Sequence, residues 1–231
     1  MKQEPQKENM LMNLLISIAV PTIILMKFSG EEHLGPVMGL VVALAFPVIY
    51  GLYDFARQKK VNFFSAMGVV SILLTGGMAL LKLPPQYIAI KEAAIPTLFG
   101  IAVMVSLKTR YPLVRTFLYN DKIMQIEKVN AALDEKNNHQ AFERVLYYAS
   151  CMFAASFFLS AVLNFALAKY LLVSEPGTEQ FNQELGAMTA WSIPVITVPS
   201  MIVTVGALFY LLSRIKRLTA LNFEDIFAIQ E

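Results

Sequence analysis

Lys91 and Glu92 are adjacent ionisable residues inside an apolar stretch of the sequence. Such side chains are costly within a membrane and usually face the protein interior. Neighbouring residues of a helix point about 100° apart, and the longer lysine can snorkel to water, so we expect Glu92 to turn inward. Together with a carbonyl that Pro96 deprives of its N–H partner, Glu92 would form a small site for a proton or cation. Anchoring of the pair at the membrane interface is the alternative.

Small and polar residues recur at helical spacing in two other apolar stretches. Ser156, Ser160 and Asn164 follow one another at intervals of four in the sequence. Small residues let membrane helices approach closely, and serine or asparagine can hydrogen-bond across the contact. The pattern predicts a helix-packing seam formed by Ser65, Gly68, Gly76, Ser156 and Ser160. In the alternative interpretation the stripe faces a solute, with Asn164 as a further candidate for a polar membrane site.

The sequence contains no pattern that indicates catalysis or metal binding. His33 stands beside Glu31 and Glu32 in one short loop, which lacks the ligand spacing of a metal centre. Motifs of serine hydrolases, zinc proteases, P-loop proteins and dinucleotide-binding proteins are absent from the sequence. We therefore predict no catalytic residues, no metal ligands and no cofactor, and we expect that the protein is not an enzyme.

The elements that would position these residues are membrane-spanning helices. The chain has 231 residues, of which 56% are hydrophobic and 16% charged, whereas soluble domains carry about 25% charged residues. The apolar residues form runs of about twenty, which suffice to cross a bilayer as helix. We predict an all-α integral membrane protein, a bundle of about six transmembrane helices in one polytopic domain over residues 1–231. The predicted spans are 10–26, 34–53, 61–81, 87–107, 146–173 and 188–212.

Positive charges near the ends of these spans predict the orientation. Lysine and arginine concentrate in residues 54–60, 108–145 and 213–217, which would place both termini in the cytoplasm. The first span is expected to be retained; a five-span protein with an external N-terminus is the alternative. Residues 108–145 form a cytoplasmic helical insert, in which Ile126, Val129 and Leu133 mark the apolar stripe of a short amphipathic helix. We expect this stripe to pack under the bundle; lying on the inner leaflet is the alternative.

Residues 50–120 resemble the intracellular septation protein A family, also called YciB. The matching features are the basic run RQKK before Val61, the pair Gly76-Gly77, Lys91, and the segment YPLVR at 111–115. Residues 163–165, LNF, are similar to a later helix of that family. The resemblance implies a bacterial inner-membrane protein, here as a longer, six-span relative with an insert at 121–145. It implies no catalytic residues.

Two classes of function follow from these features. The resemblance and the packing seams favour a protein of envelope maintenance, septation or membrane organisation that acts through protein–protein contacts. Its partners would be the lipid bilayer, envelope or division proteins and a second copy of the chain; a net charge of +2 does not indicate nucleic acid. The alternative is a small-solute or lipid transporter with its polar site near Lys91 and Glu92. Prolines that could break several spans favour this alternative: Pro21, Pro47, Pro96, Pro194 and Pro199.

Overall fold

The computed structural model describes residues 18–58, 63–109, 112–119, 121 and 123–227, with the side chains of 54–58 and 63–66 left out. The described residues are helical, as predicted, apart from turns, loops and one isolated bridge between Met124 and Phe227. The α-helices are α1 Val20–Lys27, α2 Gly35–Gln58, α3 Phe63–Leu80, α4 Pro85–Ser106, α5 Leu113–Leu118, α6 Ile126–Glu135, α7 His139–Leu171, α8 Glu179–Ser192, α9 Val198–Thr219 and α10 Phe223–Ile226. A π-helical turn, Ile193–Thr197, joins α8 to α9.

Four helical segments in the described part of the chain are long and apolar enough to cross a membrane. They are Gly35–Tyr53, Pro85–Ser106, His139–Leu171 and Glu179–Thr219. The chain is therefore a membrane-embedded protein. Met67–Leu80 is a shorter apolar helix. The described residues thus contain four long apolar segments and not the six predicted spans. Most of the predicted span 10–26 and the beginning of the predicted span 61–81 lie outside the described residues.

The last predicted span, 188–212, lies within a longer helical segment. This segment begins at Glu179, where the hydroxyl of Thr178 accepts a hydrogen bond of 3.1 Å from Phe181 N and caps the first turn. Pro194 lies in the π-helical turn, and Pro199 lies in the first turn of α9. A π-helical turn changes the backbone hydrogen-bond pattern locally, so the segment continues past both prolines instead of ending at them.

The described residues form two compact units, of which the first contains 18–92 and Asn164–Val195. Here α1 packs against α2 and α8. Gly186 of α8 provides the close approach: an added Cβ would lie 2.7 Å from Met26 Cγ and 3.2 Å from Leu25 Cβ. Nearby, Asn182 Nδ2 donates a 2.6 Å hydrogen bond to Pro36 O.

Helices α3 and α4 form a hairpin closed by residues 81–84, in which Lys82 has a φ of 52° and Leu83 N donates to Met78 O.

The second unit contains Ala93–Leu163 and 196–227. Its main core, called the insert cluster below, joins α6, α10, the beginning of α7 and the end of α9. The insert cluster consists of Tyr119, Met124, Val129, Leu133, Phe142, Val145, Leu146, Ala149, Leu211, Ile215 and Ile226. Asn138 Nδ2 fixes the turn before α7 by donating a 2.8 Å hydrogen bond to Leu218 O. The apolar stripe of α6 is thus buried against other helices, which agrees with the packing expected for the insert.

Candidate functional site

Lys91 is the buried charge at the centre of the candidate site. It lies in α4, and 8% of its side chain is exposed. Its ammonium donates hydrogen bonds across the hairpin to the hydroxyl oxygens of Thr75, at 2.6 Å, and Ser71, at 3.0 Å. The backbone carbonyl of Ser71 lies 3.3 Å from the same nitrogen, and Glu92 Oε1 lies 2.7 Å from it. Helix α3 and Glu92 together surround the ammonium with oxygen.

The expectation that Glu92 would turn inward while Lys91 snorkels to water is wrong. Glu92 is the more exposed of the two, at 21% against 8% for Lys91. The lysine bonds to Ser71, which lies one helical turn further from the hairpin turn than Thr75, so its side chain extends away from that turn along α3. The reason lies in α3, because two hydroxyl groups and a carbonyl oxygen can replace the water that an ammonium would otherwise need.

The hydrogen-bonding capacity of this ammonium is fully used. An ammonium has three N–H donors, and Lys91 has four oxygen partners within 3.3 Å, namely Ser71 O, Ser71 Oγ, Thr75 Oγ1 and Glu92 Oε1. Thr75 completes the network by donating its own hydroxyl proton to Ser71 O at 3.1 Å. The arrangement therefore neutralises the charge and joins α3 to α4.

Ser71 is the member of this site that the sequence reasoning missed. The residue gives no signal alone, because a single serine in an apolar helix usually bonds to its own backbone. The usable signal was the pair Ser71 and Thr75, spaced by four residues and facing Lys91 across a short turn. Residues at this spacing share a helix face, so two hydroxyl groups can serve one cation.

The predicted seam residues of α3 have different surroundings. Gly76 lies in close contact with the side chain of Leu44 on α2, so a Cβ at this position would collide with Leu44 Cδ1. At Gly68 an added Cβ would meet no atom of the described residues within 4 Å. Ser65 lies outside the residues whose side chains are described. Close helix approach in α3 is therefore seen at Gly76 and not at Gly68.

The seam residues of α7 begin with a buried hydroxyl group. Ser156 Oγ donates a 2.7 Å hydrogen bond to Ser200 O of α9, and it lies 2.8 Å from Thr204 Oγ1. Ser160 is half-buried and belongs to the same unit. Asn164 is also half-buried, but it belongs to the first unit, which contains Lys91 and Glu92. The hydrogen bonds of Ser156 join α7 to α9 directly.

A polar cavity of about 640 Å³ lies between the loops that precede α2 and α8. It is lined by Lys27, Gly30, Glu31, Glu32, His33, Pro36, Gly177, Thr178 and Glu179. The ring of His33 packs edge-on against Phe28, with ring centroids 5.5 Å apart. In the part of the chain that the structure describes, no three His, Cys, Asp or Glu side chains are grouped to hold a metal ion. The cavity mixes both signs of charge.

The geometry of the Lys91 network permits two kinds of chemistry. It can hold two helices together through a buried ion pair, or it can exchange the ammonium for another cation. Comparisons with known protein families, with curated proteins and with solved structures found no match to this chain. The choice between the two roles therefore depends on the contacts of Lys91 and on the rest of the molecule.

Proposed function

We propose that the chain is a bacterial inner-membrane protein of envelope maintenance, septation or membrane organisation that acts through protein–protein contacts. The observation that carries this proposal is the saturation of the Lys91 ammonium by Ser71, Thr75 and Glu92. A solute entering here would have to replace hydrogen bonds that are already made. The resemblance of residues 50–120 to the septation protein A family supports the same function.

The proposal includes six spans with both termini in the cytoplasm. Helices α1 and α3 would supply the two spans beyond the four long apolar segments, since each continues an apolar run of the sequence. Lysine and arginine cluster before α7 and at the end of α9, which favours the cytoplasmic side for both ends. The insert cluster would then lie in the cytoplasm, where partner proteins can reach it.

Helix α6 offers the surface that a partner would contact. Its inner face is anchored by Val129 and Leu133, which are fully buried. Its outer face carries Glu127, Ala131 and Asp134, spaced by four and three residues and exposed. A rigid polar helix face held on a packed core costs little conformational entropy when a partner binds. The carboxylate of Glu127 on this face suits a positively charged group of a partner, whereas Asp134 already lies 2.7 Å from His139 Nε2.

A small-solute or lipid transporter is the second candidate function. The observation that favours it is the Lys91–Glu92 pair itself, because ionisable residues inside a membrane span commonly mark a substrate or proton path. Glu92 is partly exposed, so its carboxylate could accept a proton or a small cation when Lys91 moves away. In this alternative Glu92, and not the surface of α6, would be essential.

Rescue of a deletion strain by variants of the gene distinguishes the two candidates. The first variant combines Glu127→Lys with Ala131→Arg, which reverses the charge of the α6 surface without touching its buried side. The second is Glu92→Gln, and the charge-reversal control is Glu175→Lys in an exposed loop. Cell length, septum placement and detergent sensitivity are measured, with membrane abundance of each variant as the folding control.

We expect the α6 variant to fail to rescue, while Glu92→Gln and Glu175→Lys rescue as well as the unchanged protein. Loss of rescue with Glu92→Gln, together with normal rescue by the α6 variant, would reject the scaffold proposal and support transport. An α6 variant that is absent from the membrane is replaced by Glu127→Lys alone, which alters a single exposed side chain.

A further inference from the structure

Helix α9 has an exposed apolar line that ends in a lysine. Ile202 is 67% exposed and Phe209 is 70% exposed, and Lys216 is also exposed. The three residues are seven apart, close to two helical turns, so they lie on one line along the helix. The opposite side of the helix is buried through Leu211 and Ile215 in the insert cluster. Lys216 therefore lies where the hydrocarbon-facing surface gives way to a polar one.

Helix α7 repeats this pattern at its beginning. Val162 and Tyr148 are exposed apolar or aromatic residues, and Arg144 is exposed one turn before Tyr148. Leu146 and Ala149, on the other side of α7, are buried in the same insert cluster as the last turns of α9. Tyrosine, lysine and arginine are the residues that anchor spans at the level of lipid headgroups. The beginning of α7, with Arg144, and the end of α9, with Lys216, thus both lie beside the insert cluster.

The cations at this end of the second unit lack a carboxylate within ion-pair distance in the described part of the chain. They are Arg144, Arg214, Lys216 and Arg217. Two nearby carboxylates have other partners: Glu143 lies 2.7 Å from Arg115, and Asp225 lies 3.7 Å from Lys128. Over the described residues, none of the four cations forms an ion pair with a carboxylate.

Two of these cations lie against aromatic rings instead. Lys216 Nζ is 4.9 Å from the ring centroid of Phe223, and the guanidinium of Arg214 is 5.4 Å from that of Tyr210. A cation above a ring keeps most of its charge available on the side that faces away from the ring. These side chains are therefore held in place while they remain able to bind an anion.

We propose that Lys216 and Arg217, with Arg144 on the neighbouring helix, bind the phosphate of an anionic phospholipid whose acyl chains lie along the apolar line of α9. Charge-assisted hydrogen bonds from lysine and arginine to phosphate are strong, and an anionic leaflet attracts juxtamembrane cations. A zwitterionic lipid carries its own cation beside the phosphate, so it gains less here. The inference is independent of the protein partners proposed above.

The test compares two lipids in bilayers that contain the full-length protein. Association of spin-labelled phosphatidylglycerol is measured relative to spin-labelled phosphatidylcholine, in phosphatidylcholine membranes at low salt. We expect the unchanged protein to prefer phosphatidylglycerol. The preference should fall about fivefold for each of Lys216→Gln and Arg217→Gln, since each cation near the surface contributes about that factor.

Lys169→Gln is the matched control, because Lys169 is also exposed, also lies over an aromatic ring, Phe165 at 5.9 Å, and is near the other end of α7. This variant should change the preference much less, because the loop between Lys169 and α8 carries Glu175 and no lysine or arginine, which offsets the charge of Lys169. Equal association of both lipids with the unchanged protein would overturn the proposal. It would also be overturned if the double variant Lys216→Gln, Arg217→Gln kept the preference, or if inorganic phosphate at equal concentration abolished it.

Discussion

The ammonium of Lys91 lies 2.6 Å from the hydroxyl oxygen of Thr75, across the hairpin of α3 and α4. This hydrogen bond is the shortest of those that Lys91 donates, and Lys91 lies in Pro85–Ser106, which is long and apolar enough to cross a membrane. Only 8% of the Lys91 side chain is exposed, so little solvent can replace a lost partner. Lys91 therefore makes the stability of the hairpin depend on hydroxyl groups that a soluble protein could exchange for solvent.

The first prediction concerns this hydrogen bond. Thr75→Val should lower the free energy of unfolding by about 1 kcal/mol, in the range measured for hydrogen bonds between membrane helices. Lys91→Met should cost more than Thr75→Val, because it removes the hydrogen bonds of the ammonium to both Ser71 and Thr75. In the double variant the two losses should add to less than their sum, since without the ammonium Thr75→Val removes only the hydrogen bond to Ser71 O within α3.

The measurement is reversible unfolding in mixed micelles, with Thr97→Val as the control. Thr97 lies in α4, as Lys91 does, but its hydroxyl donates to Ala93 O within the same helix. Thr97→Val should therefore lower the free energy of unfolding only slightly. Additive losses in the Lys91 and Thr75 double variant would show that the two side chains are not coupled.

The second prediction concerns the contact of α7 with α9. Ser156→Leu should lower thermal stability in detergent strongly, because a larger side chain cannot occupy the 2.7 Å approach to Ser200 O. Ser156→Ala should be milder, about 1 kcal/mol, since it removes the hydrogen bonds and keeps the helix distance. Ala155→Leu, on the exposed side of α7, is the control and should leave the melting temperature unchanged. Equal melting temperatures for Ser156→Leu and Ala155→Leu would contradict this contact.

The third prediction concerns topology. With the native Cys151 replaced by alanine, single cysteines at Glu31, Glu179 and Asn137 are labelled in intact cells with a membrane-impermeant thiol reagent. All three positions lie in or beside loops and are exposed. We expect labelling from outside at 31 and 179, and labelling at 137 only after lysis. Lack of labelling at 31 in intact cells would contradict the proposed orientation of the span 34–53.

The sequence predicted the helical class and most of the apolar helices, because runs of about twenty apolar residues leave few alternatives in a membrane. It could not predict where the side chain of Lys91 points. Whether a lysine snorkels to water or is buried depends on the hydrogen-bond acceptors that the facing helix offers. Ser71 and Thr75 become partners only once the hairpin register is known. Gly76 and Gly68 look alike in sequence, and only the position of Leu44 distinguishes a packed glycine from an open one.

Helix ends were the other part that the sequence left open. Pro194 and Pro199 indicated a broken span, yet the π-helical turn carries the helix from Glu179 to Thr219. The amphipathic stripe of α6 predicted burial correctly, because Val129 and Leu133 follow the helical period. Its neighbours α9 and α10 come from distant sequence, so the insert cluster as a whole was beyond local patterns.

The last prediction concerns Tyr119, which lies between α5 and α6 and outside the membrane-spanning segments. Burial raises the pKa of its phenol above 10.0, with smaller opposing and supporting contributions from Arg115 and Glu143. The folded state thus holds this proton more tightly than the unfolded state. Stability from Tyr119 is fully present below pH 10 and is lost as the pH rises through the folded-state pKa. The phenol also donates a 2.7 Å hydrogen bond to Asn130 Oδ1.

Tyr119→Phe should therefore lower the stability at neutral pH and reduce the loss of stability at alkaline pH. At pH 7 it should lower the free energy of unfolding by about 1 kcal/mol, through the lost hydrogen bond to Asn130. Above pH 10 the variant should lose less stability with rising pH than the unchanged protein, because phenylalanine cannot ionise. Melting temperatures from pH 7 to 11 test this, with Tyr148→Phe as the control at an exposed tyrosine. If the melting temperatures of Tyr119→Phe and of the unchanged protein fall equally with pH above 10, ionisation of Tyr119 does not limit alkaline stability.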